Sequence, residues 1–214
     1  MRRLLAAGLI GGIAGGLSVA LLQAALLSPL ILAAESFGPG GGPGAHDDPF
    51  VRHGLSVVVA VAVATGYVWM LLALMRARGA AIDARSVLPW ALAGFAATGL
   101  APALGLAPEL PGAASEPLLS RQLWWAGTVL ATASGLALLV WDRGALRLLL
   151  GIGLIAAPHL IGAPIASTPV SRVPAELAAT FAARSLVLQA LIWVVPAVIA
   201  GAWYFRDAGR KETP

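Results

Sequence analysis

The sequence predicts an all-α integral membrane protein, a polytopic helix bundle, on three observations. Hydrophobic residues make up 59% of the 214-residue chain and charged residues only 11%, with a mean hydropathy of +0.86; a soluble domain is nearer half apolar and a quarter charged. A soluble protein of this length has too little interior to bury that much apolar surface. The apolar residues also come in runs of about 20, or ~30 Å of helix, which matches the hydrocarbon core of a bilayer. In lipid each backbone group must be satisfied within its own segment, so these runs are helices rather than open strands.

Six spans are expected within one transmembrane domain, 1–214. The first, 4–32, follows Arg2-Arg3. A charged start before an apolar run also fits a signal peptide, but signal cores run about 7–15 residues, so an uncleaved helix is expected; removal of this segment would leave five spans. Gly8, Gly12 and Gly16 recur at four-residue spacing beside Gly11 and Gly15, a small-residue face that lets helices approach closely. The stretch 35–53 contains FGPGGGPGAHDDPF, whose glycines and prolines break helices. The second span is 55–75, and the short basic connection RARGAAIDAR leads to the third, 87–107. A loop over 108–122 precedes the fourth span, 123–141. Asp142-Arg143-Gly144 makes a tight turn into the fifth, 145–165. The loop after it runs to Ser185, the sixth span is 186–205, and a polar tail follows.

Charge sets the expected orientation. If both termini share a side, that side carries ten basic residues, Arg2, Arg3, Arg76, Arg78, Arg85, Arg143, Arg147, Arg206, Arg210 and Lys211, against four on the other, Arg52, Arg121, Arg172 and Arg184. The positive-inside rule then places both termini in the cytoplasm. Trp69, Trp90, Trp141, Trp203 and Tyr204 fall near the inner boundary and Trp124-Trp125 near the outer one, as interfacial belts do. The net charge of +4 is therefore a topology signal and implies no nucleic-acid partner; the lipid bilayer is the surrounding medium.

Several chemistries are excluded. With no cysteine there is no disulfide, thiolate metal site or thiol nucleophile. No phosphate-binding GxxxxGK[ST] loop and no HExxH zinc motif is present. Thr132-Ala133-Ser134-Gly135 resembles the GxSG of intramembrane serine proteases only faintly. Ser134 would lie ~16 Å deep against ~9 Å for His159, too far apart for a nucleophile and its base. The chain is not expected to be an enzyme, and no tightly bound cofactor is expected.

The predicted outer side carries all three histidines, His46, His53 and His159, and six of the ten acidic residues. Such a face concentrates cations, and imidazole with carboxylate suits borderline divalent metals. His46, Asp47, Asp48 and His53 fall in the Gly-Pro loop and are expected to attract cations. His159, in LIAAPHLIGAPI, falls inside the fifth span; an ionisable group there usually faces the bundle interior or a water cavity. Glu35 ends the first span, Glu109 opens a loop, and Glu176 follows Pro174, which can start a helix running into the sixth span. Together, His159, Glu35, Glu109 and Glu176 form the expected set of ligands for a transient divalent cation. The competing reading is a membrane scaffold without a pore, using its glycine face to dock a partner.

The segments SPLILAAESF (28–37), LAPELPG (106–112), RQLWW (121–125), PHLIGAP (158–164) and VPAELAATFAARSL (173–186), in this order, resemble the CbtA family of cobalt transporter subunits over nearly the whole chain. The resemblance implies cobalt uptake for cobalamin synthesis across a bacterial inner membrane. It implies cobalt as the favoured cation and a small single-span partner of the CbtB type that supplies a metal-binding histidine tail; a further oligomer is possible on this reading. The matching motifs also single out Arg121, Gln122, Trp124 and Trp125.

Overall fold

A computed structural model describes residues 1–37, 49–111, 118–141, 144–164 and 171–209. All regular structure among them is helical: α1 (Arg2–Leu26), α2 (Ser28–Glu35), α3 (Pro49–Ala77), α4 (Val87–Phe95), a π-helical turn (Ala96–Leu100), α5 (Ala101–Ala103), α6 (Leu118–Trp141), α7 (Ala145–Ile161) and α8 (Ala175–Gly209). Four helices, α1, α3, α6 and α8, are long and apolar enough to cross a membrane. The stretches Val87–Ala103 and Ala145–Ile161 are shorter apolar helices. The all-helical architecture therefore stands, and among the described residues four of the six expected spans have the length and apolar character to cross a membrane.

The boundaries shift from expectation for local reasons. The first span breaks at Leu27, because Pro29 has no N–H and its ring collides with the carbonyl four residues earlier. Helix α3 starts at Pro49, a residue suited to the first helical turn, which puts Arg52 and His53 on the helix rather than in the loop. It ends in a Schellman motif: the Ala80 N–H donates to the Met75 carbonyl (2.9 Å), the Gly79 N–H to that of Arg76 (3.2 Å), and Gly79 takes φ +64°, a conformation glycine adopts without Cβ strain. Helix α6 starts five residues before the expected fourth span and so includes Arg121 and Gln122. Helix α7 stops at Ile161, where Gly162 takes φ +89°, so His159 lies in its last turn, nearer the helix end than the expected span to residue 165 places it. Helix α8 starts just after Pro174, as expected, and at 35 residues runs ~50 Å, longer than the hydrocarbon core; Glu176 and Arg184 are helical.

Packing groups the chain into two compact units. One comprises Met1–Leu30, Gly44–Leu92 and Val187–Pro214; the other comprises Ile31–Pro43 and Ala93–Leu186.

In the first unit the glycines of α1 make the contacts. A Cβ added at Gly12 would lie 2.5 Å from the Thr65 Cα, and one at Gly16 would lie 2.7 Å from the Val61 Cα, both on α3. The Trp69 indole covers Gly8 and donates to the Leu5 carbonyl at 3.2 Å. Gly11 and Gly15 face α8: a Cβ at Gly15 would sit 2.6 Å from the Pro196 ring, and one at Gly11 would sit 2.7 Å from the Ala200 Cβ. Tyr67 of α3 stacks on Trp193 of α8 with ring centroids 4.1 Å apart. At one end, the Arg3 guanidinium lies 3.9 Å over the Tyr204 ring and its Nε is 3.3 Å from the Asp207 carboxylate. The connection before α4 is set by Asp83, whose Oδ1 accepts from the Arg85 and Ser86 N–H groups (2.8 and 3.0 Å) and whose Oδ2 accepts from the Ser86 hydroxyl (2.5 Å). The Asp83 carbonyl rests on Gly201 of α8, 2.6 Å from where a Cβ would be.

Two expectations follow. Gly12→Ala should destabilise the protein by about 1–3 kcal/mol through overpacking against α3. Gly66→Ala, on a face of α3 where a Cβ meets nothing within 4 Å, should be neutral or gain roughly 0.5–1 kcal/mol. Thermal melts of the two variants in detergent compare them, and equal shifts would remove the close-contact account. The Ser86 hydroxyl bond, then the Ser86 and Arg85 backbone bonds, hold the Asp83 carboxyl below its ordinary value of 3.8. Asp83 thus adds stability above that pH and loses it as pH falls through its lowered value. A pH series of melts should show Asp83→Ala less stable than the parent at neutral pH, with the difference closing in acid.

Candidate functional site

The expected metal residues described in the structure, Glu35, Glu109, His159 and Glu176, all belong to the second unit. His46, Asp47 and Asp48 lie outside the described residues. His53 is exposed in the first turns of α3, in the other unit.

Helix α6 organises the second unit, packing against α7, the π-helical turn and α5. Pro102 shapes the stretch before it. Lacking an N–H, Pro102 cannot serve the Thr98 carbonyl in α register; the chain widens into the π turn, and the Trp125 Nε1–H donates to that carbonyl at 3.2 Å. Trp125 therefore acts as a strut between α6 and the turn, in addition to any place in an interfacial belt. Its neighbour Trp124 lies against the backbone of Gly105, where a Cβ would come within 2.8 Å of the ring. The same position would be 2.9 Å from Ala163, just beyond α7. The edge-on contact between Trp124 and His159, with centroids 6.1 Å apart, completes the junction.

Beside it, one Arg121 Nη lies 2.8 Å from a Glu109 carboxylate oxygen, both side chains partly exposed. Leu110 next to Glu109 is buried and anchors the segment after α5. The described parts of three motif segments, 106–111, 121–125 and 158–164, thus meet at one end of α6, joining an ion pair, an indole and an imidazole. The junction holds one carboxylate already balanced by a guanidinium and one imidazole packed on an indole. Gln122 is exposed on the first turns of α6.

The structure does not gather the remaining ligands. Glu35 is half-buried at the end of α2, and Glu176 is exposed in the first turn of α8. Among the described residues no group of three or more His, Asp or Glu side chains is placed to hold a metal ion. The four-ligand set is thus not assembled within the described residues, because Glu109 is turned to Arg121 and the other two carboxylates lie on separate helix ends. Sequence reading also missed the π turn and the Trp124–His159 contact. Pro102, four residues after Thr98, was the available signal for the first; the second joins α6 to α7 and had none.

The family model described as "Probable cobalt transporter subunit (CbtA)" matches residues 1–204. No curated protein and no solved structure matches the chain.

Proposed function

From the premise that the chain belongs to the CbtA family of probable cobalt transporter subunits, we propose that it forms the outer, metal-receiving part of a cobalt uptake system in a bacterial inner membrane, serving cobalamin synthesis. Both termini lie in the cytoplasm on this reading, and the junction of Glu109, Arg121, Trp124 and His159 faces outward. The observation that carries it is the convergence of three motif segments at one end of α6 around the 2.8 Å Glu109–Arg121 pair and the His159 ring. The arriving cation is cargo. His159 offers it a ring nitrogen, and Glu109 offers a carboxylate once the guanidinium of Arg121 gives way. Binding here is transient, as a transport step requires. Glu35 and Glu176 act as outlying carboxylates, and His46, Asp47, Asp48 and His53 raise the local cation concentration.

An inside-negative potential favours the step: a divalent ion gains roughly 4–5 kcal/mol per 100 mV. A single-span partner of the CbtB type, bearing histidines, would hand metal to this junction. Of the two features that favour the alternative, a pore-less scaffold docking a small metal-binding partner, the α1 glycine face is occupied by α3 and α8 of the same chain, and the poverty of charge inside the spans remains.

Whole-cell cobalt accumulation tests the reading. His159→Ala and Glu109→Gln should each reduce uptake about tenfold or more, while His53→Ala reduces it severalfold at most. Normal cobalt uptake by both His159→Ala and Glu109→Gln would overturn it. Orientation is tested by single cysteines: one at Ser171 should label with an impermeant maleimide in intact cells and one at Arg78 should not; the reverse pattern would invert the topology.

A further inference from the structure

Helical threonines usually return their hydroxyl proton to the carbonyl one turn earlier. Thr65 donates to Val61 at 2.7 Å, Thr98 to Gly94 at 2.8 Å, Thr128 to Trp124 at 2.8 Å and Thr180 to Glu176 at 2.7 Å. Thr132, on α6, departs from this pattern. It is 3% exposed, and its hydroxyl finds no partner among the described residues, although the Thr128 carbonyl lies one turn back. The Trp124 Nε1–H, on the same flank of α6, is also buried and without a partner among the described residues. So is the Ser185 hydroxyl, in the same unit. A buried donor without a partner is costly, more so where lipid surrounds the protein. Such groups persist where water or a passing polar species supplies the missing bond.

Trp124, Thr128 and Thr132 follow one another at four-residue spacing along one flank of α6. Trp124 touches His159, and Thr132 lies eight residues along α6, ~12 Å deeper. Thr128, fully buried, falls between them. One turn beyond Thr132 the flank closes: a Cβ at Gly135 would be 2.7 Å from the Gly151 carbonyl of α7. The π-helical turn packs on the same helix, and π turns inside helices recur at functional sites. We infer that Trp124, Thr128 and Thr132, closely packed in this structure, line a polar track that opens to water and leads from the Glu109–Arg121 junction into the membrane-spanning part of the second unit. Thr132 is its inner polar contact. That the track conducts the hydrated divalent cation rests on the function proposed above; that it admits water does not.

The absence of native cysteine makes the test direct. Thr132→Cys and Thr128→Cys, each in the full chain in native membranes, are exposed to a cationic, membrane-impermeant methanethiosulfonate. Leu130→Cys, on an open face at 69% exposure, is the control that meets lipid. The cysteine thiolate, which forms only in water, attacks the reagent's thiosulfonate sulfur and displaces methanesulfinate, so the thiols at positions 132 and 128 should react at least about tenfold faster than the one at position 130. Cobalt should slow that reaction. Reaction of neither faster than the control would overturn the track. Fast reaction that cobalt does not slow upholds the track and counts against the cation route alone. If Thr132→Cys fails to fold, Thr128→Cys decides by the same comparison.

Discussion

Close backbone approach along α1 is the constraint on which the first unit depends. In lipid there is little hydrophobic gain from joining two helices, so association rests on dispersion contacts and interhelical bonds. Those contacts need a short distance between axes, and five glycines on α1 provide it in two directions. Gly8, Gly12 and Gly16 receive Trp69, Thr65 and Val61 of α3, while Gly11 and Gly15 receive the Pro196 turn of α8. The interior proline, which disturbs the hydrogen-bond ladder of α8, thus presents its ring to the notch between Gly11 and Gly15. The Arg3, Tyr204 and Asp207 contacts close one end of the same assembly.

The second unit is built on a different principle. Its central helix, α6, meets its neighbours through indoles, an ion pair and threonines, with glycine closing the far end at Gly135 and Gly151. Pro102 is the pivot: its missing N–H leaves the Thr98 carbonyl for Trp125, which holds the π turn to α6. Polar groups in an apolar chain need local compensation, and among the described residues the structure supplies it at Glu109–Arg121 and at Thr128 but not at Trp124 or Thr132. Trp124 lies at the junction proposed to receive metal and Thr132 ~12 Å along α6 from it, so the packing of this unit and its proposed function bear on the same helix.

Pairing Glu109 with Arg121 also bears on selectivity. A free carboxylate at a membrane surface attracts any cation, whereas one held by a guanidinium yields only to an ion whose charge density repays the lost pair. On the proposed function, a divalent ion with an imidazole at hand meets that condition better than a monovalent one. The partly exposed setting keeps the pair weak enough to exchange.

The sequence by itself determined the class, the helical character and the family. Apolar runs of bilayer length admit no other backbone structure, and the order of the motif segments along the chain is a one-dimensional property. It also revealed the glycine face, because a four-residue spacing puts residues on one side of a helix whatever lies opposite. Helix ends were less legible: Pro29, Pro49 and Gly162 shifted them through local backbone chemistry that a count of apolar residues does not see. The site was legible only in part. His159 and Glu109 stood out as ionisable groups expected at a membrane boundary, but His159's contact with Trp124 and Glu109's commitment to Arg121 join segments apart in the chain. No spacing encodes them, and the same holds for Thr132, whose unanswered hydroxyl differs from its four helical counterparts only through the tertiary packing around α6.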